Sequence, residues 1–363
     1  MKRILWIVVT IIILAIGMTY DPGNSKEMKT KDCFFLSSLH FTASGMDYWY
    51  SKERGGLETV SGVPYADLTC QNCHVAGCDN CHMAELEGEK GPTAAYSLKC
   101  ARNQDMCLKC HGREKAMMKV NEKQRQPDVH VVRGMECVDC HSTGEMHGDG
   151  FSYISLKQPG AMTTQCENCH DDIQPNEAHT VHNGKLDCKA CHLRHVVSCM
   201  NCHFDTMVKE GVRKAMPVNG WLFLMNYKEK VTVASTQSFV ANGKTFLMFA
   251  PHMSHAVMRQ GRDCDGCHGT ETMQQAKQGR VRLTWLENEQ VVNLKGVIPV
   301  VDSVDYLCTY HDLVDGKWKV ISQPPKPGRQ YAGFGKPLSK QQLESLNTVQ
   351  VPSKKIAQSN LEK

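Results

Sequence analysis

Sixteen of the 19 cysteines fall into eight frames of one form, C-x-x-C followed at once by histidine. Four of them are Cys70, Cys73 and His74; Cys78, Cys81 and His82; Cys107, Cys110 and His111; and Cys137, Cys140 and His141. The other four are Cys166, Cys169 and His170; Cys188, Cys191 and His192; Cys199, Cys202 and His203; and Cys264, Cys267 and His268. Positions i, i+3 and i+4 share one face of a helical turn, so each frame can aim two thiols and one imidazole at a single group.

That group is haem c. In a C-x-x-C-H frame each thiol adds across one porphyrin vinyl group, and the histidine ligates the iron on its proximal side. Zinc is the competing reading, because paired C-x-x-C units also build tetrahedral sites from four cysteines or from two cysteines and two histidines. Zinc does not require a histidine directly after the second cysteine, and eight such coincidences have a chance probability of roughly 10⁻¹¹. The sequence therefore predicts eight covalent haems.

Eight proximal histidines leave nine of the 17: His40, His130, His147, His179, His182, His195, His252, His255 and His311. Eight irons need eight distal ligands, so ligation by histidine is expected for nearly all nine. His130, His182 and His255 lie seven, six and nine residues before a frame, on loops already pinned near a haem. Which histidine serves which iron cannot be read from spacing. Cys33, Cys100 and Cys308 stand outside the frames. Three is an odd number, so a disulfide between two of them leaves the third over, and a buried structural thiol is expected at Cys308.

With all eight frames quoted, the chain resembles the multihaem c-type cytochromes, and among them the octahaem members, over residues 70–268. The resemblance implies electron transport outside the cytoplasm, with other redox proteins or cytochromes as donor and acceptor. It also admits end-to-end assembly of copies into oligomers or filaments. The class includes octahaem oxidoreductases that act on small nitrogen or sulfur compounds at one open iron, which is the alternative function. Octahaem nitrite reductases carry a lysine-terminated frame at the catalytic haem, and this chain has none.

Charge reads differently once cofactors are counted. The polypeptide is formally +4. Eight haems bring roughly −16 of propionate charge, giving about −12 with ferrous and about −4 with ferric irons. That argues against nucleic acid as a partner, and no basic stripe with interleaved aromatics speaks for it. At the start, Lys2 and Arg3 precede an apolar run over 4–18. Residues 1–20 are accordingly a signal peptide for export, or an anchor that associates with the membrane if it is not cleaved. The periplasm or the cell exterior is the expected location.

Five segments follow from these signals. After 1–20, residues 21–69 form a haem-free wrapping segment that donates His40. Residues 70–203 are a seven-haem body, in which roughly 19 residues per haem cannot build separate side-chain cores, so the macrocycles must supply the apolar interior. Residues 204–323 hold a hairpin turning at Asn242-Gly243, the eighth haem, and short strands over 281–285, 297–301 and 318–321. Residues 324–363 read as a mobile tail. The expected fold class is mainly α, with extensive irregular loops, a haem-packed core and a minor β element in the C-terminal part.

Overall fold

A computed structural model of the chain describes residues 30–68, 74–88, 91–174, 176–210 and 212–347. The N-terminal run over 1–20, Cys70 and Cys73, and residues 348–363 lie outside the described residues. Among the described residues, no helix is long and apolar enough to cross a membrane.

The strands in chain order are β1 (Met83–Gly88), β2 (Gly91–Tyr96), β3 (Val196–His203), β4 (Lys214–Tyr227), β5 (Lys230–Ala241) and β6 (Lys244–Pro251). Eight short ones follow: β7 (Arg280–Arg282), β8 (Thr284–Glu287), β9 (Gln290–Asn293), β10 (Gly296–Pro299), β11 (Asp305–Leu307), β12 (His311–Val314), β13 (Lys317–Val320) and β14 (Gly328–Tyr331). Six of them form one curled mixed sheet in the order β10-β4-β3-β5-β6-β14. Asn242 and Gly243, at φ 50° and 69°, make the two-residue turn between β5 and β6, which needs positive φ at both positions. β10 and β14 add in parallel to β4 and β6.

Four consecutive residues of β4, Leu222 to Met225, are fully buried, as expected of a strand covered on both faces. Trp221, Phe223, Leu247 and Phe249 centre a side-chain core completed by Met273, Val281, Val297 and Ile298. The mainly α expectation is therefore corrected: the described residues are about 33% helical and 27% strand, and the largest element is the sheet. The haem-packed core is corrected with it for this half, whose interior is made of side chains. Short strands over 297–301 and 318–321 were legible as apolar runs, but their place in the fold was not. β10 and β14 enter the sheet only by pairing with the long strands β4 and β6, a tertiary event.

Two boundaries also differ. β3 ends at the expected edge, His203, but lies between β4 and β5, so the sheet begins before that edge. Within 324–363, β14 pairs with β6, and the helix Lys340–Asn347 packs Leu343 and Leu346 onto the core, so the described part of that segment is no loose tail.

Residues 30–195 are built otherwise. Helices here are mostly single turns, the longest being Gly112–Lys123. Large apolar side chains such as Leu98, Val132, Phe151 and Val181 stay exposed. This segment is poor in buried side chains.

Candidate functional site

Five frames close a helical or 3-10 turn on themselves. The backbone N–H of His82, His111, His141, His170 and His268 each donates to the carbonyl of the first cysteine of its frame, at 2.8–3.0 Å. A sixth frame is the helix Cys188–His192, capped by Asp187, whose side chain accepts from the Lys189 N–H. This turn puts both thiols and the imidazole on one side, as the spacing predicts.

Opposite each of these six histidines stands one of the nine others. The pairs are His40 with His111 (ring centroids 6.2 Å apart), His82 with His147 (6.0 Å) and His130 with His170 (6.1 Å). The other three are His141 with His255 (6.4 Å), His179 with His192 (6.4 Å) and His182 with His268 (6.0 Å). Two imidazoles bound on opposite sides of one metal, at about 2 Å each, place their centroids roughly 6 Å apart. His130, His182 and His255 each face a frame other than the one they precede in sequence. Path, not spacing, makes the match.

Hydrogen bonds turn the rings the right way. The Nδ1 atoms of His141 and His255 lie 2.8 Å from Glu145 Oε2 and 2.6 Å from Glu114 Oε2. Those of His130, His179 and His192 face Asp128 Oδ1 (3.3 Å), the Gln174 carbonyl (3.2 Å) and the Met258 carbonyl (3.3 Å). An Nδ1–H that donates to oxygen leaves the Nε2 lone pair for a metal, and a carboxylate partner makes the imidazole more basic. Glu145 is itself fastened by the Thr163 and Thr164 backbone N–H groups, both at 2.6 Å.

The Cys137–His141 site is thus the one with a carboxylate behind both imidazoles. Burial pushes the Glu114 carboxyl up, but the His255 hydrogen bond, with His252 and Arg113 nearby, holds it below the usual range, so it stays anionic. Glu114→Gln keeps an oxygen acceptor and removes the charge. The potential of this site should rise by on the order of 60 mV, one tenfold change in ferric over ferrous preference. Spectroelectrochemical titration of the variant against the parent measures it, and an unchanged set of potentials would contradict the assignment.

Space for a cofactor is present at these pairs. A cavity of about 300 Å³ is lined by His182, His268, Cys264, Ala178 and Val181. Both imidazoles and a frame thiol therefore open onto one apolar space, and the buried Nδ1 of His268 has no partner in it. A larger cleft of about 1130 Å³ beside His130 carries Arg133, Arg194 and Arg262 among Val129, Val132 and Met258, a setting that suits an apolar ring with anionic edges. By these tests six frames fit haem c.

Metal ions have one candidate cluster among the described residues, Cys166, Glu167 and Cys188. It joins cysteines from two frames and offers three ligands, one short of a closed structural zinc site.

No protein-family model, curated protein or solved structure matches this chain at a significant level.

Among the described residues, three of the nine histidines face no frame histidine. His195 is buried with Nε2 unpartnered, and burial first, then the nearby cations, pushes it down to about 4. His252 is pushed down to about 3 by burial and then by Arg113. His311 Nδ1 lies 3.2 Å from Asn201 Nδ2. His74 packs against Phe41, with centroids 5.4 Å apart. Sequence reasoning missed the carboxylates: Glu145, four residues after His141, is legible as a helical i, i+4 partner, whereas Glu114 and His255 are 141 residues apart.

Cys100 and Cys308 are in no disulfide, and the side chain of Cys33 lies outside the described ones. Burial pushes the Cys308 thiol up to about 12. Alkylation of the folded protein at pH 8 should therefore be slower at Cys308, by on the order of thirtyfold relative to an ordinary thiol, because the lost thiolate is partly offset by the higher nucleophilicity of a more basic one. Peptide mapping after a timed iodoacetamide pulse reads this directly.

Proposed function

We propose that this chain is an extracytoplasmic multihaem cytochrome c that passes electrons between redox partners through closely spaced haems. The six histidine pairs carry the reading, because each combines a one-turn C-x-x-C-H frame with a second imidazole at the separation that ligation of one iron requires. Haem supplies reversible one-electron chemistry at the iron. The chain's own paired histidines would hold each iron, and the oxygen acceptors at Nδ1 would fix the orientation of their rings.

Proximity follows from the short tethers. Three residues separate His74 from the frame at Cys78. A spacer of that length holds neighbouring sites within about 10–20 Å. Irons with two imidazole ligands have no open position for a substrate, which favours a carrier over the alternative, an oxidoreductase for small nitrogen or sulfur compounds. Donor and acceptor are proposed to be other redox proteins, and a signal peptide or anchor over 1–20 would put the exchange outside the cytoplasm.

Electron paramagnetic resonance of the oxidised protein tests the choice. At least six low-spin ferric centres unresponsive to nitrite, hydroxylamine or tetrathionate are expected. A stoichiometric high-spin signal that shifts with one of these ligands would replace the carrier with the enzyme.

A further inference from the structure

The frame Cys199, Cys202 and His203 departs from the other six at every point where they agree. It lies in β3, extended, between β4 and β5. Asn201 at its centre takes φ 53°, and the pairing with β4 shifts register there. That conformation is held on three sides: the Asn201 N–H donates to Ser238 Oγ at 2.7 Å, and its amide nitrogen reaches the Thr309 carbonyl and His311 Nδ1, each at 3.2 Å.

The side chains point the same way. Cys202 is 2% exposed, packed among Tyr50, Phe204, Phe239 and Phe246, with its sulfur 3.4 Å from Met207 Sδ. A thioether to a porphyrin needs open space at that sulfur, and this one is inside a filled side-chain cluster. His203 has its ring nitrogens committed in the reverse sense to the paired histidines. Nδ1 accepts from the Thr206 N–H at 3.4 Å, and Nε2 lies 3.1 Å from Asp312 Oδ1. A ring that accepts at Nδ1 and faces a carboxylate at Nε2 carries its proton on Nε2. The atom that would ligate iron is therefore a donor to Asp312. Among the described residues none of the nine other histidines stands opposite His203.

We propose that this seventh frame takes no haem and that Cys199, Cys202 and His203 serve as sheet residues, so that the mature protein carries seven haems from eight apparent frames. The proposal rests on the haem reading of the other frames, and the test keeps the two apart.

Trypsin cuts after Arg194 and Lys209, releasing residues 195–209 with this frame alone, and after Arg262 and Lys277, releasing residues 263–277 with the frame at Cys264. Mass spectrometry of the digested native protein, alkylated after denaturation, should find 195–209 carrying two alkyl groups and no haem. The 263–277 fragment from the same digest should carry haem. Haem on 195–209 overturns the proposal and leaves the proposed function standing. Haem on neither fragment overturns the haem reading itself. As a second measurement, Cys199→Ser with Cys202→Ala should leave the pyridine haemochrome yield per chain unchanged, and a loss of one haem per chain would also overturn the proposal.

Discussion

Replacing Cys137 and Cys140 by alanine is expected to remove one haem and to release the segment around it from its fold. The turn Cys137–Cys140 sits where several elements converge. His141 reaches Glu145, Glu145 binds Thr163 and Thr164, and His255 arrives opposite His141 from the chain beyond β6. An iron between His141 and His255 would fasten the helical segment to the sheet half at this point. Few buried side chains offer a substitute, because the cluster linking them is small: Met117, Val197 and Ala256 with Ala116 and Val120 at its edge.

The size of the effect follows from the dependence of folding on the bound group. Binding free energies at structural metal sites in small domains are on the order of 10 kcal/mol, as large as the stability of a typical domain. The expected outcome is a haem yield reduced by one per chain together with rapid proteolysis within 98–170 under conditions that leave the parent intact. Full resistance to protease after loss of the haem would mean that side chains alone hold this part together.

Trp221→Ala should act on the other half and leave haem attachment untouched. Trp221 is fully buried at the crossing of β3, β4 and β10, packs edge-on to Phe223 at 5.1 Å, and donates its indole N–H to Ser198 Oγ at 3.1 Å. Truncation leaves a large cavity at a site where both sheet neighbours are fixed. A cost of about 3–5 kcal/mol is expected, lowering the melting temperature by on the order of 10 °C. Ser198 keeps Ser235 Oγ as a partner at 3.2 Å, so the loss is mainly one of packing. Calorimetry paired with a haem assay checks both parts. A drop in haem content would show that the sheet and the haem segment do not fold as separable units.

The two expectations differ because the halves obey different rules. In the segment before β3, the frames were legible at once, since cysteine and histidine at fixed offsets announce their own chemistry. The helical turns at six of them follow from the same offsets. In the sheet half, Asn242-Gly243 signalled its turn, but β10 and β14 did not signal membership of a sheet, because four-residue strands acquire their order from the neighbours they pair with. The mainly α reading failed there for that reason. His130, His182 and His255 show the same limit at the site: proximity in sequence placed each beside one frame, and the fold carried each to another.

What the sequence by itself determined is the chemistry on offer: eight C-x-x-C-H frames and nine further histidines. Covalent spacing within five residues is a local property, so it survives any fold. What only the tertiary structure decided is which imidazoles face each other, which carboxylates stand behind them, and that the frame at Cys199 lies in a strand with its histidine turned to Asp312. These depend on contacts between residues tens to more than a hundred positions apart, and the free energy that selects them comes from burying a common core, which no local pattern encodes.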